Sequence, residues 1–156
     1  MKIRKAINKD FLQIAALDRV AWRKNKNSEF IPDGEHVWRL WVEYALVYCA
    51  ELNERIIGAI LAFPCINGQY CIHKVFVDEN YREQGIGSKL FEVLLHKLDD
   101  MCVESFLTVD PSNSAALALY EKWGFSERKF VKGFYRENED RYVLTRKPKN
   151  LTRRST

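Results

Sequence analysis

The segment Arg82-Glu83-Gln84-Gly85-Ile86-Gly87 places two glycines where an extended run, VFVDENY, gives way to an amphipathic pattern beginning SKLFEVLL. The first backbone N–H groups of a helix have no acceptor inside the helix. Glycine there removes the Cβ that would hold a ligand away, and the helix dipole favours negative charge. The chemistry on offer is therefore the binding of a phosphate-like anion by bare amides. Residue types exclude two other phosphate loops. A GxxxxGK[ST] loop lacks its first glycine and would need lysine where Ser88 stands, and a GxGxxG turn would need a third glycine where the chain has Leu90. Cys49, Cys65, Cys71 and Cys102 form no CxxC pair and the three histidines are far apart, so no metal is expected and the thiols are expected to be buried and reduced.

The elements that must hold this turn can be read on either side of it. KIRKA alternates as a strand, and NKDFLQIAALDRVAW spaces Phe11, Ile14, Ala15, Leu17 and Asp18 along one face of a helix. After the polar break RKNKNSEFIPDGE, HVWRLWVEY reads as a second helix. ALVYCAEL and RIIGAILAFP read as a hairpin turning at Asn53-Glu54, and QYCIHKVFV as the strand that enters the glycine turn. SKLFEVLLHKLDDM follows as a helix and VESFLTVD as a strand. SNSAALALYEKW is a helix ended by Gly124, and FSERKFV with RYVLTRK closes the chain as a hairpin. The expected order is β-α-α-β-β-β-α-β-α-β-β, a mixed α/β fold.

A second segment, NSAALALYEKWGF from Asn113 to Phe125, follows the RxxGxG turn at the distance of one helix and one strand. Together the two resemble the GNAT superfamily of acetyl-CoA-dependent N-acetyltransferases. The first matches its pyrophosphate-binding motif and the second its NxxAxxLYxxxGF pattern. The resemblance covers essentially the whole chain and is closest in look to ribosomal-protein and peptide N-terminal acetyltransferases. It implies the acyl-CoA N-acyltransferase fold, a central, mixed, mostly antiparallel sheet flanked by about four helices. It also implies acetyl-CoA as co-substrate and transfer of acetyl to a primary amine by direct attack. By position, Val75, Phe76 and Val77 would pair their backbone with the pantetheine arm. Arg82, Glu83, Gln84, Gly85, Ile86, Gly87 and Ser88 would wrap the pyrophosphate, Asn113 would contact the pantetheine, and Tyr120 would lie near the thioester sulfur.

Such a transfer needs a neutral amine, an oxyanion stabiliser and a proton for the departing thiolate. The resemblance assigns the proton to Tyr120, and amides near Val75–Val77 would polarise the carbonyl. The base is open. Ribosomal-protein acetyltransferases of the superfamily carry a glutamate where this chain has Thr108, which cannot serve. His73, at the position of a catalytic histidine in serotonin-type relatives and four residues before Val77, is the candidate, since an imidazole titrates near neutrality. Cys71 as a nucleophile and water relayed by backbone groups or Glu51 are the other options.

The acceptor is expected between the N-terminal helices and the closing hairpin. There GFYRENEDRYVL resembles the hairpin of peptide N-terminal acetyltransferases: Phe134 and Tyr135 would hold a peptide segment, and Glu137, Glu139 or Asp140 would attract an amine. Trp38 and Trp41 could line the same cleft or simply pack in the core. Two functions stay open here, an acetyltransferase acting on a peptide N-terminus or a small amine, and a non-catalytic acyl-CoA sensor on the same fold.

The 156 residues, 47% of them apolar, suit one domain, expected over 1–147. A flexible basic tail over 148–156 carries much of the +4 net charge, which argues for a solvated tail over a nucleic-acid surface. No apolar run nears the roughly 20 residues of a membrane span, so a cytoplasmic chain with no membrane partner is expected. The hairpin and the tryptophans would permit a homodimer.

Overall fold

The computed structural model describes residues 1–23 and 32–149. Most of the polar break after the first helix, and residues 150–156 of the expected tail, lie outside them. The seven strands and four helices follow the expected order, with two short 3₁₀ turns added. The chain forms two compact units, Met1–Phe63 with Lys74–His96, and Pro64–His73 with Lys97–Thr156.

In the first unit β1 (Lys2–Lys5), β2 (Leu46–Leu52), β3 (Arg55–Pro64) and the end of β4 (Tyr70–Val77) are neighbours in that order. β1 and β2 pair antiparallel at Lys2↔Glu51, and β2 and β3 at Leu46↔Ala62. Asn53 and Glu54 both take positive φ, 49° and 65°, which twists the two-residue turn to match its strands. Helices α1 (Phe11–Arg23) and α2 (Glu35–Tyr44) bury Ile14, Ala15, Trp38 and Val42 against Val47, Ala59, Leu61 and Phe76.

One acid sits inside this apolar layer. Asp18, fully buried, accepts from Trp38 Nε1 at 3.0 Å and from Lys74 Nζ at 2.9 Å. Lys74 also pairs with Asp33 at 2.7 Å. Desolvation of these charges is tolerable only because each finds an opposite charge and a hydrogen-bonding geometry.

The second unit begins with Tyr70–His73 of β4 and runs through β5 (Ser105–Val109), β7 (Arg141–Arg146) and β6 (Glu127–Val131). β4 and β5 are parallel, whereas β5–β7 and β6–β7 are antiparallel. The last strand thus inserts between β5 and β6. Helix α3 (Ile86–Met101) ends in this unit, and α4 (Ser114–Lys122) stops at Gly124, whose φ of 98° breaks the helical path. All four cysteines are thiols, but only Cys49 is buried, the others being half-buried, so that expectation holds for one of them.

Arg146 fastens β7 to the end of α3. Its guanidinium, buried, donates to both oxygens of Asp99 at 2.8 and 3.0 Å and to the Trp123 carbonyl at 2.9 Å. Burial pushes the Asp99 carboxyl up, but the hydrogen bonds from Arg146 and the Lys149 amide outweigh it and hold it below its ordinary value. A depressed carboxylate stabilises the fold above the unfolded pKa, near ~3.9, and that contribution is lost as pH falls through the lower folded value. Arg146→Met should cost about 2 kcal/mol at pH 7 in denaturant unfolding, because it takes the partner from a half-buried carboxylate. The deficit should shrink below about pH 4, where that carboxyl takes up a proton; a deficit that does not change with pH would refute this account.

Candidate active site

β4 delivers the chain to the glycine turn. The Asp78 amide donates to the Ile57 carbonyl at 2.7 Å, its carboxylate accepts from the Asn80 amide at 3.0 Å, and Arg82 Nε reaches back to the Val77 carbonyl at 3.3 Å. Glu83 and Gly85 both have positive φ, 63° and 77°, so the backbone curls before α3 begins at Ile86. Ile86, Gly87 and Ser88, placed by sequence in or just after the turn, form the first helical turn. The Lys89 amide is the one that donates back to the Gly85 carbonyl, at 3.1 Å, so the amides of Ile86 to Ser88 precede the first closed helical ring. The cap position is a glycine, which has no side chain to offer them, and the first turn holds no acid.

Among the described residues, no packing contact requires these glycines to be small. A Cβ at Gly85 would meet nothing within 4 Å, and one at Gly87 only a Val77 methyl at 4.0 Å. Gly85 is explained by its positive φ, but Gly87 is helical, where glycine costs roughly 1 kcal/mol relative to alanine. The open space at the Cβ positions of these two glycines fits a ligand that approaches the backbone closely. A nearby cavity of about 160 Å³, lined by Leu17, Val20, Ala21, Val77, Asp78, Glu79, Asn80 and Arg82, carries two acids on its wall and is the poorer place for an anion.

Of the three β4 residues before the turn, Phe76 has its side chain committed, 5.9 Å edge-on from Trp38. Only its backbone is available to a ligand. Among the described residues the parallel pairing of β4 with β5 is registered at Tyr70↔Ser105 and Cys71↔Phe106, short of Val75–Val77.

In the second unit Asn113 caps α4, its Oδ1 accepting from the Ala116 amide at 3.1 Å. That leaves the side-chain NH₂ pointing its donors elsewhere. Tyr120 lies one helical stretch further on, ringed by Trp123 at 6.3 Å and Phe125 at 5.8 Å. Burial pushes its phenol up, so Tyr120 keeps its proton throughout the neutral range. His73 is exposed on β4. Cys71 is pushed up to about 12, by burial first and then by Cys65, so it holds its proton and is no nucleophile at neutral pH.

Thr108 does something that its sequence position did not announce. Its Oγ1 is 2.9 Å from the Tyr135 hydroxyl. Phe134 packs edge-on to Tyr135 at 4.7 Å, and the Arg141 guanidinium lies over the Tyr135 ring at 5.2 Å. The acids expected to attract an amine are mostly engaged. Glu139 is buried and paired with Arg136 and Arg141, and Asp140 accepts from the Gly133 amide at 2.8 Å, which leaves Glu137 exposed. Glu51, the candidate relay, is bound by Arg4 at 2.9 Å. Trp38 is fully buried and Trp41 stacks on Phe63, so both tryptophans are core. Asp18 was visible in sequence as an acid on an apolar helix face, a signal for a buried partner, but nothing local pointed to Lys74.

The sequence profile described as "Acetyltransferase (GNAT) family" matches residues 11–125. An N-alpha-acetyltransferase of Sulfurisphaera tokodaii is 29% identical over 157 residues, covering 92% of this chain and 90% of its own. The crystal structure of the ribosomal-protein-S18-alanine N-acetyltransferase from Escherichia coli superposes with a TM-score of 0.77 at 23% identity, covering 94% of this chain and 92% of that one. The NatC complex bound to Gag peptide and CoA matches with a TM-score of 0.68 at 25% identity, over 94% of this chain and 99% of that one.

The raised phenol has a direct spectroscopic consequence. In an alkaline absorbance titration, the wild-type minus Tyr120→Phe difference should show a midpoint above about 10, the ordinary tyrosine value. A midpoint at or below that value would refute the desolvated placement of Tyr120.

Proposed function

The chain belongs to the GNAT acetyltransferase family and is an acetyl-CoA-dependent N-acetyltransferase, and on that premise we propose that its acceptor is a peptide or protein N-terminus and that residues 1–147 form the catalytic domain. The observation that carries the cofactor site is a helix start without a side-chain cap, with open space at the Cβ positions of Gly85 and Gly87. The diphosphate is held by the backbone of Arg82, Glu83, Gln84, Gly85, Ile86, Gly87 and Ser88. The backbone of Val75, Phe76 and Val77 and the side-chain amide of Asn113 hold the pantetheine arm. Acetyl-CoA supplies the activated acetyl group as a thioester.

The remaining steps belong to the chain's own groups. Amides of the β4 backbone polarise the acetyl carbonyl and stabilise the charge that develops on its oxygen. Tyr120 Oη holds a proton and gives it to the sulfur as the carbon–sulfur bond breaks, while His73 takes the proton that the amine loses on forming the amide. An N-terminal amine, with a pKa of about 7.7–8.0, is neutral in roughly one molecule in ten at pH 7, whereas a lysine amine near ~10.4 is neutral in fewer than about one in a thousand. An α-amine therefore demands less of the base. The N-alpha-acetyltransferase relative and the peptide-bound NatC structure support the same acceptor class.

Tyr120→Phe should lower kcat about a hundredfold or more while coenzyme A affinity changes little. His73→Gln, followed in the same thiol-release assay with free-amino peptides, should remove the acidic limb of the kcat/KM profile. Unchanged turnover in the first variant, or an unchanged profile in the second, would refute the respective role. The cofactor loop is tested separately by Gly87→Val. A Cβ there meets only a Val77 methyl at 4.0 Å and the position has no positive φ, so the melting temperature should stay near wild type while calorimetry shows coenzyme A binding at least about tenfold weaker. Wild-type affinity would remove the loop from the site.

A further inference from the structure

Tyr135 is half exposed, yet it is held at three points. The hydroxyl meets Thr108 Oγ1 at 2.9 Å, one ring face lies under Arg141 at 5.2 Å, and Phe134 abuts it at 4.7 Å. Arg141 is itself fixed, donating through Nη1 to the Asp140 carbonyl at 2.7 Å and lying 3.5 Å from buried Glu139. The surrounding backbone is pinned by the Phe134 amide on the Glu139 carbonyl at 2.9 Å and the Gly133 amide on Asp140 at 2.8 Å. Fixing a side chain costs rotamer entropy, which a core residue recovers through burial. Tyr135 keeps 50% of its surface in solvent and recovers little that way. Order on an exposed aromatic is what a binding group needs, because it removes an ordering cost from the moment of binding.

We infer that Thr108 is a positioning residue for the acceptor: it pins the Tyr135 hydroxyl so that this group can hydrogen-bond the first peptide unit after the amine to be acetylated. The inference rests on the acetyltransferase reading above and makes it more specific. A phenol has one proton and two lone pairs. When Thr108 donates to Tyr135, the phenol proton is available to a peptide carbonyl; when Tyr135 donates to Thr108, a phenol lone pair is available to a peptide N–H. A threonine hydroxyl can take either part, which a glutamate at position 108 in its ionised form cannot. The group recognised is therefore the neutral amide of a peptide backbone, and a free polyamine, which has none, gains nothing from it.

The test uses the full chain saturated with coenzyme A and pentapeptides with free α-amino termini. Peptide affinity is read by calorimetry, which needs no turnover, alongside KM and kcat. Thr108→Val and Tyr135→Phe should each weaken peptide binding about fivefold, the worth of one hydrogen bond, and raise KM by more than they lower kcat. The double variant should bind no worse than either single one, Thr108→Ser should restore wild-type affinity, and spermidine affinity should not change in any of them. Additive losses, an unchanged peptide affinity in Thr108→Val, an equal loss for spermidine, or no peptide binding by the wild type would each overturn the inference. A wild type that binds peptide but releases no thiol would instead refute acetyl transfer, while the coupling of the two hydroxyls would still be read in the affinities.

Discussion

Backbone amides at the start of a helix must find acceptors, and at α3 this chain supplies none from a cap. Elsewhere it does so readily: Asn113 caps α4, Asp78 caps the turn before the glycines, and Asp10 closes the turn ahead of α1 by accepting from the Ile7 amide at 2.7 Å. Helix α2 also starts from a glycine, Gly34, but carries Glu35 in its first turn. α3 has a glycine cap, a second glycine within its first turn and no acid there. An unmet donor set in a positive field is stable in water, and far more favourable with an anion seated on it. On the proposed reading, the diphosphate, the strand leading to it and the acetyl group at the ligand's far end would all take their positions from that one helix end.

β4 meets two demands with different atoms. For its backbone near Val75–Val77 to stay available to the pantetheine arm, as proposed, its placement would have to be secured by side chains. Phe76 goes into the apolar layer against Trp38, and Lys74 goes into the same layer as an ammonium held by Asp18 and Asp33. A hydrophobic residue at position 74 would place the strand about as firmly without the desolvation cost. What the ion pairs add is direction, since a salt bridge with two acceptors fixes position along the strand as well as depth in the core.

The features legible in sequence were those whose cause is local. Strand and helix order follows from periodicity and turn residues within about ten positions, and each element appeared where its pattern placed it. The glycine turn was legible for the same reason, since amides, cap position and dipole all lie within one turn of helix. The pairs that decide the rest span long separations, 56 residues between Asp18 and Lys74, 27 between Thr108 and Tyr135, and 47 between Asp99 and Arg146. Nothing in the local pattern distinguishes Glu139, which turns inward to two arginines, from Glu137, which does not. Composition showed an acidic hairpin; only the fold showed which acids were already neutralised.

In the proposed role of Tyr120 as proton donor, one environment would serve two needs of the reaction. Burial alone raises its phenol, which taken by itself makes it a poorer acid. The same desolvation acts on any thiolate formed beside it, because removing water disfavours every uncompensated anion. What governs proton transfer is the difference between the two, and a shared dry surrounding shifts both acids upward and leaves that difference small. A tyrosine in water would be the stronger acid but would face a thiolate already stabilised by solvent, with less need of its proton. The apolar ring of Trp123 and Phe125 around Tyr120 is thus compatible with the proposed donation and keeps the phenol protonated at neutral pH.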